Sequence, residues 1–288
     1  MLSYQHAYHA GNMADVLKHT VLCWVIDYLL QKEKPFYFHD THAGRGLYSL
    51  DGAEAQKTGE HLQGAARLWQ QTDVPEALKP YLTTLQSFNS NATGGGLAQR
   101  LHRYPGSPLL AHRMMRSTDR LCCTELHPQE FAALRQSAGN KRNIRILRED
   151  GYAALKAAMP PREKRGVVLI DPSYELATDD AAVINAVQEG LQRFSQGIFL
   201  VWYPLVQPVR ARDLCYKAQK LVSHNLLKLE LQWGKPAEDR RGMYGTGMLV
   251  FNPPWQLDAA MDDALPWLVQ QLAPEGGRWR QEWLRAPL

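Results

Sequence analysis

The sequence predicts an α/β protein: an open, mostly parallel sheet covered by helices on both sides, with a small helical insertion. Three observations carry this. Short apolar and aromatic runs alternate with stretches of helical spacing along most of the 288 residues, the pattern of strands joined by crossover helices. One interval between runs is far longer than a crossover needs. Acidic residues follow four successive runs, and open parallel sheets bind ligands beyond the carboxyl ends of their strands.

The elements follow in order. Residues 13–31 space Val16, Leu17, Val21, Trp24, Val25 and Leu29 as one helix, with Asn12 as its cap. Residues 35–40 form an aromatic-rich strand ending in polar residues. The next strand, 121–124, comes only after a long interval. Within it, residues 52–100 are mostly polar and helical, with Gly and Asn at 89–96 marking a loop. This predicts an inserted helical subdomain, 52–100, in the first crossover of a single domain spanning 1–288. Further strands are expected at 144–147, 167–170, 198–202, 226–231 and 248–251.

Bulk composition narrows the class. A hydrophobic content of 45% can bury a full core. No apolar run approaches the roughly 20 residues that span a bilayer, and Asp27 interrupts the best early stretch, 20–30. The N-terminus lacks the basic region and cleavage site of a signal peptide, so a cytoplasmic protein is expected. Cys23, Cys122, Cys123 and Cys215 show no paired spacing and read as reduced thiols. Cys122 and Cys123, adjacent in a strand, point to opposite faces. The net charge of +4, from 33 Lys and Arg against 29 Asp and Glu, is compatible with a polyanionic partner without indicating one. Basic clusters stand at Lys141, Arg142, Arg145 and Arg148, at Arg162, Lys164 and Arg165, and at Arg240 and Arg241. Each also reads as a solvated face. The ten histidines match no zinc spacing, and no metal is expected.

The strand ends carry the chemistry. The first gives Asp40-Thr41-His42-Ala43-Gly44-Arg45-Gly46, an acid followed by a bend whose glycines let backbone approach a ligand. A plain tight turn explains it equally. The second gives Thr124-Glu125-Leu126-His127, with a carboxylate able to accept both ribose hydroxyls of a nucleoside. The third gives Glu149-Asp150-Gly151, where Asp150 can accept from an adenine amino group. The fourth gives Asp171-Pro172-Ser173-Tyr174, one residue from the Asp-Pro-Pro-Tyr loop of enzymes that methylate amino groups of bases. Singly, each carboxylate is more often a helix cap. In this order they describe an S-adenosyl-L-methionine pocket with a base-methylating loop beside it. Asn252-Pro253-Pro254-Trp255 fits the loop pattern too, but it follows the last strand and reads as an aromatic-anchored, chain-reversing turn.

The chain resembles the RlmJ family, bacterial enzymes that methylate adenine N6 in 23S ribosomal RNA. The likeness runs over essentially the whole length, through MLSYQHAYHAGNMADVLKHT, DTHAG, YPGSP, TELHP, EDGY, IDPSYE, WYP, DRRGM and NPPW. It implies a Rossmann-like class I S-adenosylmethionine-dependent methyltransferase fold with a helical insertion, and 23S rRNA as partner. By matching position, His19, His42, Ser107, Glu125, Asp150 and Gly151 would contact the cofactor, joined by Lys18, Asp40 and Gly44. Asp171 would be the catalytic residue, with Tyr4 and Lys18 near cofactor and substrate. Tyr4 and His6 belong to an aromatic N-terminus that either stacks on RNA or packs on the domain. Arg240 and Arg241 either grip phosphates or form a turn. Two departures stand out: Ser173 replaces the family's proline, and the SNATGGG stretch is longer than usual.

Ser173 weakens the motif more than the chemistry. The N6 amino group is a poor nucleophile, and two acceptors are needed to free its lone pair: the Asp171 carboxylate and the Pro172 carbonyl. Tyr174 supplies a face for the extruded base, worth about 1–3 kcal/mol. The missing proline costs loop rigidity of roughly 0.4–1 kcal/mol. Rivals are a DNA adenine-N6 or cytosine-N4 methyltransferase, for which no target-recognition domain is visible, and a nicotinamide oxidoreductase, for which a third glycine is missing. A cofactor-binding RNA chaperone without catalysis is the reading that Ser173 leaves open. A monomer is expected.

Overall fold

The computed structural model describes residues 4–89, 100–236 and 242–287. Helix α1 (Met13–Leu30) starts at Asn12, whose side chain accepts from the Asp15 N–H at 2.9 Å, the cap that the spacing predicts. Its residues are buried on nearly every side, because it lies between the sheet and other helices. Asp15, Lys18 and His19 are therefore interior groups, and interior charges need partners.

The strands in chain order are β1 (Tyr37–Asp40), β2 (Leu47–Ser49), β3 (Arg103–Pro105), β4 (Arg120–Thr124), β5 (Ile144–Leu147), β6 (Gly166–Ile170), β7 (Ile198–Leu205), β8 (Leu226–Gln232), β9 (Gly245–Phe251) and β10 (Arg278–Arg285). The later helices are α2 (Ala53–Thr58), α3 (Ala65–Leu68), α4 (Lys79–Ser87), α5 (Ser107–Met114), α6 (Pro128–Ala138), α7 (Gly151–Ala158), α8 (Asp179–Arg193), α9 (Pro208–Gln219) and α10 (Leu257–Leu272). One sheet has the order β10-β8-β9-β7-β6-β1-β4-β5. Neighbours from β5 to β7 are parallel; β9 runs against β7 and β8, and β10 against β8. Every strand expected from the sequence is present, while β10 and the separate β2–β3 ribbon were not expected.

The chain steps from β1 outward to β4 and β5, then returns across β1 to β6. Such a switch in direction opens a crevice at the carboxyl ends of the strands. Side chains alternate between the two covered faces: Val167 and Leu169 enter one buried cluster, Val168 and Ile170 the other. Cys123 and Cys122 divide the same way, and all four cysteines are free and buried.

Helices α2, α3 and α4 lie between the two strands of the ribbon, which pairs Leu47 with Pro105 and Tyr48 with Tyr104. That ribbon clasps the ends of the interval. Leu68, Leu78, Tyr81 and Leu85 join the same buried cluster as α1. The SNATGGG stretch lies outside the described residues. Among those described, no helix is long and apolar enough to cross a membrane.

Candidate active site

A cavity of about 620 Å³ opens at the carboxyl ends of β1, β4, β5, β6 and β7. Its walls bring together Lys18 and His19 of α1, His42 and Gly44, Ser107, Glu125, Asp150 and Gly151, and Asp171 to Tyr174. Tyr4 and His6 line it as well.

One chain of polar contacts crosses this space. The Lys18 Nζ donates to Asp171 Oδ2 at 2.6 Å and lies 2.8 Å from Asp15 Oδ1. Asp15 Oδ2 accepts from the Gly11 N–H at 2.8 Å and pairs with His6 Nε2 at 2.9 Å, and His6 Nδ1 meets the Tyr4 hydroxyl at 2.8 Å. Burial alone would raise the Asp15 carboxyl, but His6 and Lys18 outweigh it and hold the group well below the usual carboxylate range. Burial likewise opposes the Lys18 ammonium, yet Asp15 and Asp171 keep it charged, well above its ordinary value. The N-terminal segment is braced from the inserted helices: Glu60 pairs with His9 at 2.8 Å and accepts from Asn12 at 3.0 Å.

The other half of the cavity is built from strand-end loops. Gly44 has φ +60°, and a Cβ there would come within 2.3 Å of the Tyr48 hydroxyl. Glu125 accepts from the Gly44 N–H at 2.9 Å and the His127 N–H at 2.7 Å, and burial raises its carboxyl. Each oxygen keeps a further acceptor position. Asp150 caps α7 through the Ala153 N–H at 2.9 Å. The cap reading and the cavity-lining reading thus hold together. His19 meets the Tyr104 hydroxyl at 2.7 Å through Nδ1, while its buried Nε2 has no partner among the described residues. Burial pushes its imidazole down to about 3, so it is neutral; His42 is also lowered by burial. Asp40, expected among the cofactor contacts, does not line the cavity. It is fully buried, accepts from the His42 N–H at 3.3 Å and lies beside the Ser107 hydroxyl. It supports the loop from beneath.

Tyr174 is held more firmly than its motif suggests. It sits at φ +56°, a conformation that costs a non-glycine residue roughly 1–3 kcal/mol. Its hydroxyl donates to the Trp202 carbonyl at 2.7 Å, and the Arg210 guanidinium stands 5.6 Å from its ring. Arg210 in turn grips Asp180 with two bonds, at 2.7 and 2.9 Å. These anchors follow the missing proline and stiffen the loop from its other side. Asp15, Tyr48, Trp202 and Arg210 escaped the sequence reading. Only Asp15 left a signal there, as an acid three residues before a lysine in an apolar helix.

The second loop-like motif is elsewhere. Because β9 runs against β7, Asn252 emerges at the opposite end of the sheet, where its amide donates to the carbonyls of Ser195 and Gly197, each at 2.8 Å. Trp255 anchors nothing, being 77% exposed. Arg240 and Arg241 lie outside the described residues.

A family model described as Ribosomal RNA large subunit methyltransferase D, RlmJ, matches residues 33–285. The chain belongs to the RlmJ family. Two relatives named Ribosomal RNA large subunit methyltransferase J are similar over nearly the whole length. The Escherichia coli K12 protein is 44% identical over 276 residues, 96% of each chain. The Haemophilus influenzae Rd protein is 43% identical over 285 residues, 99% of each. A crystal structure of a Legionella pneumophila protein matches with a TM-score of 0.86 at 31% identity, covering 96% of this chain and 98% of its own. The sheet of this RlmJ-family chain is the Rossmann-like one of class I methyltransferases.

Proposed function

We propose that this RlmJ-family chain transfers the methyl group of S-adenosyl-L-methionine to N6 of an adenine in 23S ribosomal RNA, the base being extruded into residues 171–174. The observation that carries the reading is the setting of Asp171, a carboxylate on the cavity wall whose Oδ2 is engaged by a buried ammonium. A volume of about 620 Å³ falls within the usual range for small-molecule and cofactor sites.

The residues present fit the cofactor. The unpartnered His19 Nε2 and the side-chain-free approach at Gly44 offer a polar atom and open backbone on one wall, with Glu125, Asp150 and Gly151 beside them. These groups would hold it, and when bound it supplies a methyl group on a sulfonium. The rest is done by the protein. Asp171 Oδ1 and the Pro172 carbonyl accept the two N6 hydrogens, which turns the lone pair out of conjugation with the ring. Tyr174 and Trp202 wall the base. As positive charge develops on N6, the carboxylate is already aligned to stabilise it. Lys18 fixes that carboxylate, so positioning carries the rate, and once the methyl has moved the cationic, strongly acidic N6 sheds its proton to solvent by way of Asp171 Oδ1, with no base needed before the transfer. The chain acts as a cytoplasmic monomer, a single domain over 1–288 with 52–100 as its inserted subdomain.

The test is methyl transfer from labelled S-adenosylmethionine to unmodified 23S rRNA, a hairpin-rich RNA of unrelated sequence, and duplex DNA. The expected product is N6-methyladenosine in 23S rRNA alone, lost by about 10²-fold or more in Asp171→Ala. Ser173→Pro should change the rate several-fold at most, as the energy at stake is about 0.4–1 kcal/mol. Equal activity of Asp171→Ala and the parent would sink the mechanism, and label in DNA would assign the protein to the DNA amino-methyltransferases.

A further inference from the structure

β5 is the last strand of the sheet, so among the described residues its outer edge pairs with no other strand. Arg145 of β5 is exposed, as are Lys141 and Arg142 in the turn before it and Arg148 just after it. The row covers a turn, closed by the Ile144 N–H on the Lys141 carbonyl at 3.2 Å, and the four residues of β5. It ends beside Asp150, which lines the catalytic cavity. A second cavity, of about 400 Å³, opens along the row between the sheet and α7. Ala154, Ala157 and Ala158 of α7 are too short to fill it.

Three arginines line this space, Arg120, Arg142 and Arg145, with one acidic residue, Glu149. Arg120 is already committed: it donates to Glu163 at 2.6 and 3.1 Å and lies 5.3 Å from the Tyr37 ring. Arg142 and Arg145 make no salt bridge among the described residues. Charge on an edge strand also discourages pairing with another chain, but that role needs neither a cavity nor the planar fork with which arginine matches phosphate.

We propose that the β5 edge binds the sugar-phosphate backbone of the substrate RNA, with one phosphate seated in this cavity between Arg142 and Arg145. The row then leads the strand to the catalytic mouth. This rests on the RNA-methylation reading, yet it predicts binding independently of turnover.

The experiment is direct binding of a 23S rRNA fragment, without cofactor, over a salt series, alongside KM in the methylation assay. Arg142→Gln with Arg145→Gln is compared with Arg162→Gln and Lys164→Gln, a second exposed basic cluster. The first pair should raise Kd and KM by about 10-fold and lower the slope of log K against log salt by roughly 0.7–0.9, one phosphate contact's worth. The second pair should leave all three near the parent. Unchanged Kd and slope in the first pair would overturn the proposal, as would equal losses in both pairs, which mark diffuse charge. Aggregation of the first pair with RNA affinity intact would identify edge protection and overturn it too. A parent that binds RNA but methylates nothing would refute the catalytic reading while the comparison of Kd values still decides this one.

Discussion

At Lys18 an ammonium only 4% exposed bonds two carboxylates, at 2.8 and 2.6 Å. Desolvating three charges is expensive, and such groups are weak evidence for stability; here they orient Asp171. Asp40 is a different case, a buried acid with one oxygen unpartnered among the described residues. Burial pushes its carboxyl up to about 7, whereas the unfolded chain ionises near 3.9. The folded state thus binds more protons in this window, and stability falls as pH rises through it. Asp40→Asn removes that loss. Its stability relative to the parent should climb from about pH 4 to about pH 7 and then level off, as measured by denaturant melts at stepped pH. A flat difference would mean that Asp40 is ionised in the fold. Glu125 and Asp171 were legible in the sequence because each directly follows a strand, and Asp150 because it stands three residues beyond one. Asp15 and Arg210 were not, since a charge within a helix carries no such positional sign.

Two elements meet closely where α7 begins. A Cβ on Gly151 would lie 2.0 Å from the Thr41 carbonyl oxygen, so Gly151→Ala must push the α7 terminus away from the β1 loop. The expected result is a stability loss of about 1–3 kcal/mol and weaker S-adenosylmethionine binding by calorimetry. Unaltered affinity would show that this approach is not part of the cofactor wall. The sequence named Gly151 only through family likeness, because the contact joins segments far apart in the chain. β10 went unread for a related reason. RWRQEWLR mixes two tryptophans with charges, and its residues are exposed or half-buried, so the apolar signal of a strand is weak. The Asn252 motif shows the converse: its four residues match the loop pattern, and its late place in the chain and the direction of β9 both remove it from the site.

For the whole molecule, the alternation of strands and helices gave the architecture, but the order of strands across the sheet is a property of pairing that no local pattern encodes. Tyr37 in β1 pairs with Arg120 on one side and Gly166 on the other. That central position sets a timetable for the nascent chain. At about 10 residues per second, Tyr37 leaves the ribosome roughly ten seconds before Gly166 exists to pair with it. Its four residues, all buried in the finished sheet, must wait with one edge open to any passing strand. A fragment ending at residue 160 should therefore aggregate on release, as followed by sedimentation, while the full chain stays in solution; a soluble, folded fragment would refute this. Asp171 is the residue that follows the closing strand, so on the proposed mechanism the capacity for catalysis arrives only after the sheet's most vulnerable seam has been shut.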